Sequence, residues 1–267
     1  MQNTLHISVL GSGSGGNSIV ISNASDAVMI DAGFSAKETA SRLNRLDPAP
    51  APLAGVLITH EHTDHVAGCR VFCSRMGIPA ILPLRTAEFL QTKNQIPENH
   101  LRFEPGSCFE LGSFVVESFR VPHDAVDPVG YVIRCGELSV GVATDMGQLD
   151  SEGEKQLNGC DALLIESNYD CGMLRDCDRP LRTKRRIAGR HGHMDNCDTC
   201  NALEKLLSSR TRLLMLCHVS RDCNDYQMVE SLFRQRLINM GREDIHLAVA
   251  RQDEITGPFH LGTEGIL

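Results

Sequence analysis

No stretch of this 267-residue chain approaches the roughly 20 consecutive apolar residues that cross a bilayer, so no membrane partner is expected. The first residues lack a basic segment followed by a long apolar one; without such an export signal the expected compartment is the cytoplasm. Internal repeats, low-complexity tracts and linkers are also missing, which leaves one domain over residues 1–267. The net charge of −8 lacks the positive excess that advertises a nucleic-acid binder. What remains is an ordinary globular composition, 42% hydrophobic, in a chain long enough for a substantial core.

Two further absences concern motifs. Gly11-Ser-Gly13-Ser-Gly-Gly16, with Asp31 downstream, has the form of a dinucleotide fingerprint. That fingerprint needs a helix directly after the glycines. Here Ser18 to Ser22 alternates, Ala27 to Ile30 is strand-like, and no room for a helix remains. The glycines therefore join two strands, which excludes a nicotinamide or flavin site. The loop can still bring backbone N–H groups, Asn17 and Ser18 to a ligand. The eleven cysteines form no clear metal pattern. Cys197-x-x-Cys200 has no second pair, and Cys171 and Cys177 do not complete a familiar spacing. Cysteines in apolar segments, such as Cys135, Cys160 and Cys217, read as reduced core residues.

The informative stretch is Leu57 to Arg70. It places His60, His62, Asp64 and His65 within six positions, after the apolar run Gly55 to Ile58. Val66, Cys69, Cys73 and Met76 then keep a helical spacing, and Gly77 is a stop signal. The cluster thus sits between a strand and a helix. His60 and His62, two apart, project to one side of an extended segment. Asp64 and His65 point elsewhere, which suits two neighbouring metals better than one. Three more candidates follow predicted strands: His123 after Val115–Val121, Asp145 after Leu138–Ala143, and His218 after Leu213–Cys217. Rigid strand ends are good places from which to aim ligands. Strands cluster early, and helices over Ala36–Leu46, Leu84–Lys93, Gln148–Asn158, Cys197–Ser208 and Asp225–Met240 alternate with strands later. This pattern predicts mixed sheets covered by helices.

His-x-His-x-Asp-His, with Asp31-Ala-Gly33 before it and His123, Asp145 and His218 after it, resembles the metallo-β-lactamase superfamily. The resemblance implies an α/β (α+β) fold, a four-layer αββα sandwich. It implies that His60, His62 and His123 hold one divalent ion and that Asp64, His65 and His218 hold another, with Asp145 bridging. Asp31 would orient the ligand loop. Leu10-Gly-Ser-Gly-Ser-Gly-Gly-Asn17-Ser18, Glu166-Ser-Asn168-Tyr-Asp170, Gly192-His193-Met-Asp-Asn196 and His218-Val-Ser220 resemble the YycJ/WalJ branch. That branch includes 5′-exonucleases acting on double-stranded DNA. The chain departs from it with Met194-Asp195 in place of Leu-Ser, with Val219 in place of Leu, and with a cysteine-rich region from 171 to 200.

The resulting expectation is a two-metal phosphodiesterase or nuclease, most simply a 5′–3′ DNA exonuclease, using zinc or manganese. A metal-bound hydroxide oriented by Asp145 would attack phosphorus. Asp64, Asp145 and His193 are the expected catalytic residues, with His193 protonating the leaving oxygen or binding phosphate. Arg175 to Arg190 carries seven basic residues against Asp176 and Asp178 and could hold a nucleic-acid backbone. Candidate substrate contacts are Asn17, Ser18, Asn168, Arg182, Lys184, Arg185, Asn196 and Ser220. The rivals are a small-molecule or cyclic-phosphate phosphodiesterase, a hydrolase of C–O or C–N bonds (a lactonase, thioesterase or lactamase), and a non-catalytic nucleic-acid-binding protein.

Overall fold

Alternating apolar side chains in the early strands face two different cores, and this sets the layering. The computed structural model describes residues 4–263, 265 and 266. Among them the order is β1 (Leu5–Gly11), β2 (Ser18–Ser22), β3 (Ala27–Ile30), α1 (Ala36–Leu43), β4 (Leu53–Leu57), α2 (Thr63–Val66), α3 (Cys69–Met76), β5 (Ala80–Pro83), α4 (Leu84–Thr92), β6 (His100–Phe103), β7 (Cys108–Leu111) and β8 (Phe114–Arg120). Then come β9 (Val129–Cys135), β10 (Leu138–Ala143), α5 (Ser151–Leu157), β11 (Ala162–Glu166), α6 (Cys171–Asp176), α7 (Leu181–Ile187), α8 (Asn196–Leu206), β12 (Leu213–Cys217), α9 (Tyr226–Asn239), β13 (His246–Val249), β14 (Thr256–Gly262) and β15 (Gly265–Ile266). No helix among the described residues is long and apolar enough to cross a membrane.

One sheet runs β15-β14-β1-β2-β3-β4-β5-β6 and the other β13-β12-β11-β10-β9-β8-β7. Val28 and Ile30 join Ile7, Ile21, Val116, Ile133, Val140 and Leu164 in a core shared by both sheets. Their strand neighbours Ala27 and Met29 turn the other way, under Leu43, Phe72 and Leu90 of α1, α3 and α4. On the far side, Leu163, Leu214 and Leu216 pack against Leu203, Val229 and Phe233 of α8 and α9. Period-two alternation thus feeds one face of each sheet to the central core and the other to helices. The layers run helix, sheet, sheet, helix, as the motif resemblance implied.

Strands β3 to β6 are parallel, as are β10 to β13. Strand β8 is antiparallel to β9, and β9 to β10, so β8 points the same way as β10. The C-terminal ends of β8, β10, β11 and β12 therefore lie along one edge, and that edge carries the site. Side-chain caps fix two helix starts later than the periodicity predicts. Asp150 accepts from Gly153 N at 2.9 Å and Asp225 from Met228 N at 2.9 Å, so the helices begin at Ser151 and Tyr226. The single helix expected after the histidine cluster is divided into α2 and α3. Gly68 stands at the division, where a Cβ would lie 2.0 Å from the Phe34 carbonyl oxygen.

Candidate metal centre

The ligand loop leaves β4 and is clamped by the loops beside it. Asn17 N donates to the Asp64 carbonyl at 2.8 Å, Ala32 N to that of His65 at 2.8 Å, and Gly33 N to that of Asn17 at 3.0 Å. A Cβ on Gly33 would sit 1.7 Å from the Asp64 carbonyl oxygen, so this approach requires glycine. Asp31, buried at the end of β3, adopts a left-handed φ of 61°. Its Oδ1 accepts from Thr59 N at 2.8 Å, and its Oδ2 accepts from the Thr59 hydroxyl at 2.9 Å and from His65 Nδ1 at 2.7 Å. Asp31 stands behind His65 and sets its orientation.

Two groups of three converge. His60, His62 and His123 each bring one donor atom within 4.8 Å of the others, and so do Asp64, His65 and His218. Asp145 lies between these groups. It joins His60 and His65 in a third convergent set, with Oδ2 3.1 Å from His65 Nε2 and Oδ1 3.8 Å from His123 Nε2. His218 follows β12 in a left-handed turn, φ 53°, and its Nε2 lies 3.4 Å from Asp64 Oδ2. Except for His62 and Asp64, these groups are buried.

The Nδ1 atoms are occupied in a consistent way. His65 Nδ1 faces Asp31, His60 Nδ1 lies 2.9 Å from the Thr59 hydroxyl, and His123 Nδ1 donates to the Gly192 carbonyl at 2.9 Å. In these three the Nε2 atoms are thereby left as the inward donors, an arrangement typical of metal-binding histidines, whereas His62 turns its Nδ1 inward, 3.3 Å from His123 Nε2. Burial, then the nearby His65, hold the His60 imidazole well below its usual range, and burial lowers that of His123. Burial would also lower His218, but Asp145, Asp64 and Glu166 outweigh it and lift the group to about 10. Burial works against Asp145 ionising; His218 and His65 overcome it and hold the carboxyl well below its ordinary value. His60 Nε2 is buried without any hydrogen-bond partner, and Asp145 Oδ2 is buried facing His65 Nε2 at 3.1 Å. Orphaned buried polar atoms are costly. A divalent cation among these nitrogen and oxygen donors would satisfy His60 Nε2, so the residues present fit the metals that the motif implies.

One buried carboxylate, which the sequence offers only as part of a branch motif, is not among the candidate site residues. Glu166, fully buried at the end of β11, lies between the ends of β10 and β12. Its Oε1 accepts from His193 Nδ1 at 2.6 Å and is 3.1 Å from His218 Nδ1. Its Oε2 accepts from Met146 N at 3.0 Å and Met194 N at 3.2 Å. The signal was available, because Ala162 to Glu166 is an apolar strand ending in a metal-competent residue, the same pattern that marked Asp145 and His218. A cleft of about 210 Å³ opens over the centre, lined in part by Asp64, Asp145, Asn168, His193, His218 and Ser220. Arg179 and Arg186 line it too.

The model of the beta-lactamase superfamily domain matches residues 27–219. The chain belongs to the beta-lactamase superfamily, in its metallo-β-lactamase fold. It is 31% identical over 239 residues to exodeoxyribonuclease YycJ of Bacillus anthracis, covering 89% of this chain and 90% of that one. It is 31% identical over 248 residues to exodeoxyribonuclease WalJ of Streptococcus pneumoniae serotype 2, covering 91% and 90%. The crystal structure of the metallo-β-lactamase fold protein YhfI from Bacillus subtilis superposes with a TM-score of 0.69 at 13% identity, over 95% of this chain and 99% of that one. That likeness concerns the fold.

In this metallo-β-lactamase-fold hydrolase the remaining expected contacts divide by position. Asn168 and Ser220 line the cleft. Asn17 lies beneath it, with its amide nitrogen 3.1 Å from His65 Nε2 and its Oδ1 accepting from Gly13 N at 2.8 Å. Ser18 is fully buried at the start of β2. Asn196 is buried at the start of α8 and exchanges two hydrogen bonds with Asn224, each 2.9 Å. Arg182 and Arg185 are exposed on α7 away from the cleft lining, and Lys184 Nζ donates to the Arg175 carbonyl at 2.6 Å. Cys197 is exposed and Cys200 buried, and no cysteine joins the convergent metal-competent groups among the described residues.

Proposed function

We propose that this chain is a two-metal phosphodiesterase that removes nucleotides from the 5′ end of DNA. The observation that carries the reading is the pair of convergent triads joined by Asp145 beneath a cleft lined by Arg179 and Arg186. His60, His62 and His123 would hold one ion and Asp64, His65 and His218 the other, with Asp145 between them. When bound, a pair of zinc or manganese ions supplies Lewis acidity and activates water at neutral pH. The identity to two exodeoxyribonucleases over about nine-tenths of the chain supports a nucleic-acid substrate.

The side chains have separate tasks. Arg179 and Arg186 attract and seat the phosphodiester; such contacts weaken with salt. Asp145 accepts a hydrogen bond from the attacking water and aims it at phosphorus. His193, 13% exposed at its side chain, keeps Nδ1 on Glu166 and offers Nε2 to the cleft. As the P–O3′ bond breaks, that Nε2 gives its proton to the leaving 3′ oxygen, while Glu166 stabilises the imidazolium before transfer. The products are a nucleotide with a free 3′ hydroxyl and a strand with a new 5′ phosphate. The two sheets share one core, which supports a single domain over residues 1–267.

The small cleft favours a second reading, a phosphodiesterase of small molecules. End-labelled duplex and single-stranded DNA and RNA, with manganese or zinc, separate the two. Metal-dependent release from the 5′ end of DNA, lost in an Asp64→Ala/His65→Ala variant, is the expected outcome. Cleavage of bis-p-nitrophenyl phosphate with every polymer left intact would establish the second reading instead.

A further inference from the structure

Two cysteines sit behind the cleft wall, and the catalytic reading uses neither. Cys177 follows α6 and Cys223 lies in the loop after His218. Their sulfurs are 3.4 Å apart, although 46 residues separate them in sequence. Cys223 is buried with Tyr169, Leu174 and Ile187, and Cys177 packs partly against the same cluster. Formation of a bond needs the sulfurs to close from 3.4 Å to about 2.05 Å.

Each cysteine is tied to a cleft residue. Cys177 lies two positions before Arg179, and Cys223 N donates to the Ser220 hydroxyl at 3.2 Å. Arg179 and Ser220 both line the cleft, as does Ile187 of the apolar cluster. Arg179 donates to Asp222 at 2.7 Å, so an ion pair spans the same two segments as the thiols. Cys177 is partly exposed with Arg179 and Lys184 nearby, and a hydrogen bond from the Arg179 backbone lowers its thiol from the usual range. An electropositive, accessible sulfur with a second sulfur behind it is the arrangement of a peroxide-reactive pair.

We propose that Cys177 and Cys223 are a modification site, a thiol pair that a hydroperoxide converts reversibly to a disulfide, and that this bond restrains the Arg179–Arg186 arm and lowers turnover. The effect on turnover rests on the cleft being catalytic; the bond and the restraint do not. Cys177 as thiolate attacks one peroxide oxygen. The O–O bond breaks, the other oxygen leaves as water or alcohol with the thiol's proton, and Cys177 becomes a sulfenic acid. Cys223 then attacks that sulfur; the S–O bond breaks and water leaves with the second proton. Two thiols supply the two electrons that the peroxide takes. The cross-link holds Arg179 against Asp222, where its guanidinium cannot turn to a phosphate.

The test treats metal-loaded enzyme with stoichiometric hydrogen peroxide, maps cross-linked peptides by mass spectrometry, follows amide exchange over 171–187, and assays DNA cleavage. Expected are a Cys177–Cys223 peptide, slower exchange, and turnover reduced about tenfold, the effect of losing one charged contact, all reversed by dithiothreitol. Cys177→Ser and Cys223→Ser should keep basal turnover and lose the response; the partly exposed Cys177 serves as the safer variant for folding. Absence of the cross-link, or a cross-link with unchanged exchange, overturns the proposal. Slower exchange with unchanged turnover in an active enzyme overturns the regulatory half. Reduced enzyme that cleaves no DNA refutes the nuclease reading alone, because the mapping and exchange still decide the thiol pair.

Discussion

Glu166 orients two cleft histidines at once, because one carboxylate faces His193, His218 and two backbone N–H groups. Glu166→Gln keeps its size but presents an amide N–H where only acceptors fit. Turnover should fall about 10–100-fold, as when comparable outer partners of metal ligands are changed. Circular dichroism should show an intact fold, and a variant with full kcat would remove Glu166 from the account. His193→Ala should lower kcat by about 10²–10⁴ with metal content unchanged, the range for losing a general acid; lost metal instead would make His193 a ligand. Protonation gives a third handle. In the metal-free protein His218 is raised to about 10, above its unfolded value of about 6.5. Its stabilisation is therefore complete below the lower value and disappears as pH rises toward the upper one. The Tm of chelated protein should fall from about pH 7 to about 8.5, below the usual thiol range, and His218→Asn should make that slope shallower. Metal-loaded protein should show the opposite trend, since ligation needs neutral imidazole. A level profile in chelated wild type would contradict this assignment of charge.

At the scale of elements, the arm formed by α6 and α7 separates charge that counts from charge that is merely near. Arg186 of α7 reaches across to pair with Asp124, beside His123, and Arg179 lies just before the helix. Arg182 and Arg185 belong to the same basic run but project elsewhere. Arg179→Ala or Arg186→Ala should raise KM for DNA and reduce the salt slope of binding by about 1, whereas Arg182→Ala should do neither. Equal effects from all of them would mean a diffuse surface instead of a seat. Composition located this run but not its direction, because helical phase relative to the cleft depends on tertiary packing. The ligand loop was legible for the opposite reason. Its chemistry is compressed into His60 to His65, and its partners follow apolar strands whose ends a reader can locate. Strands β6, β7, β14 and β15 were not legible. His100-Leu-Arg-Phe103 and Cys108-Phe-Glu-Leu111 are largely solvent-facing edge strands of four residues, too short for a period to stand out, and β14 carries Pro258 between two glycine-containing segments. The break between α2 and α3 was hidden because the close approach of Phe34 to Gly68 is a long-range contact.

Considered whole, the molecule places its candidate ligands so that metal would tie the two sheets together. His60 to His65 leave β4 of one sheet, while His123, Asp145 and His218 leave β8, β10 and β12 of the other. Without ions, buried His60 Nε2 remains unsatisfied. Ions at about 1,000 times their Kd would stabilise the folded state by roughly 4 kcal/mol each if nothing binds the unfolded chain. For a chain of this length that corresponds to a Tm higher by on the order of 5–10 °C per site. Because both sheets also share a central core, melting should remain a single transition with or without metal. Differential scanning calorimetry of loaded and chelated protein measures both quantities at once. A Tm indifferent to chelation would mean that the donors do not hold ions across the sheets. Two resolved transitions would mean that the sheets fold as separate units, against the single domain inferred from the shared core.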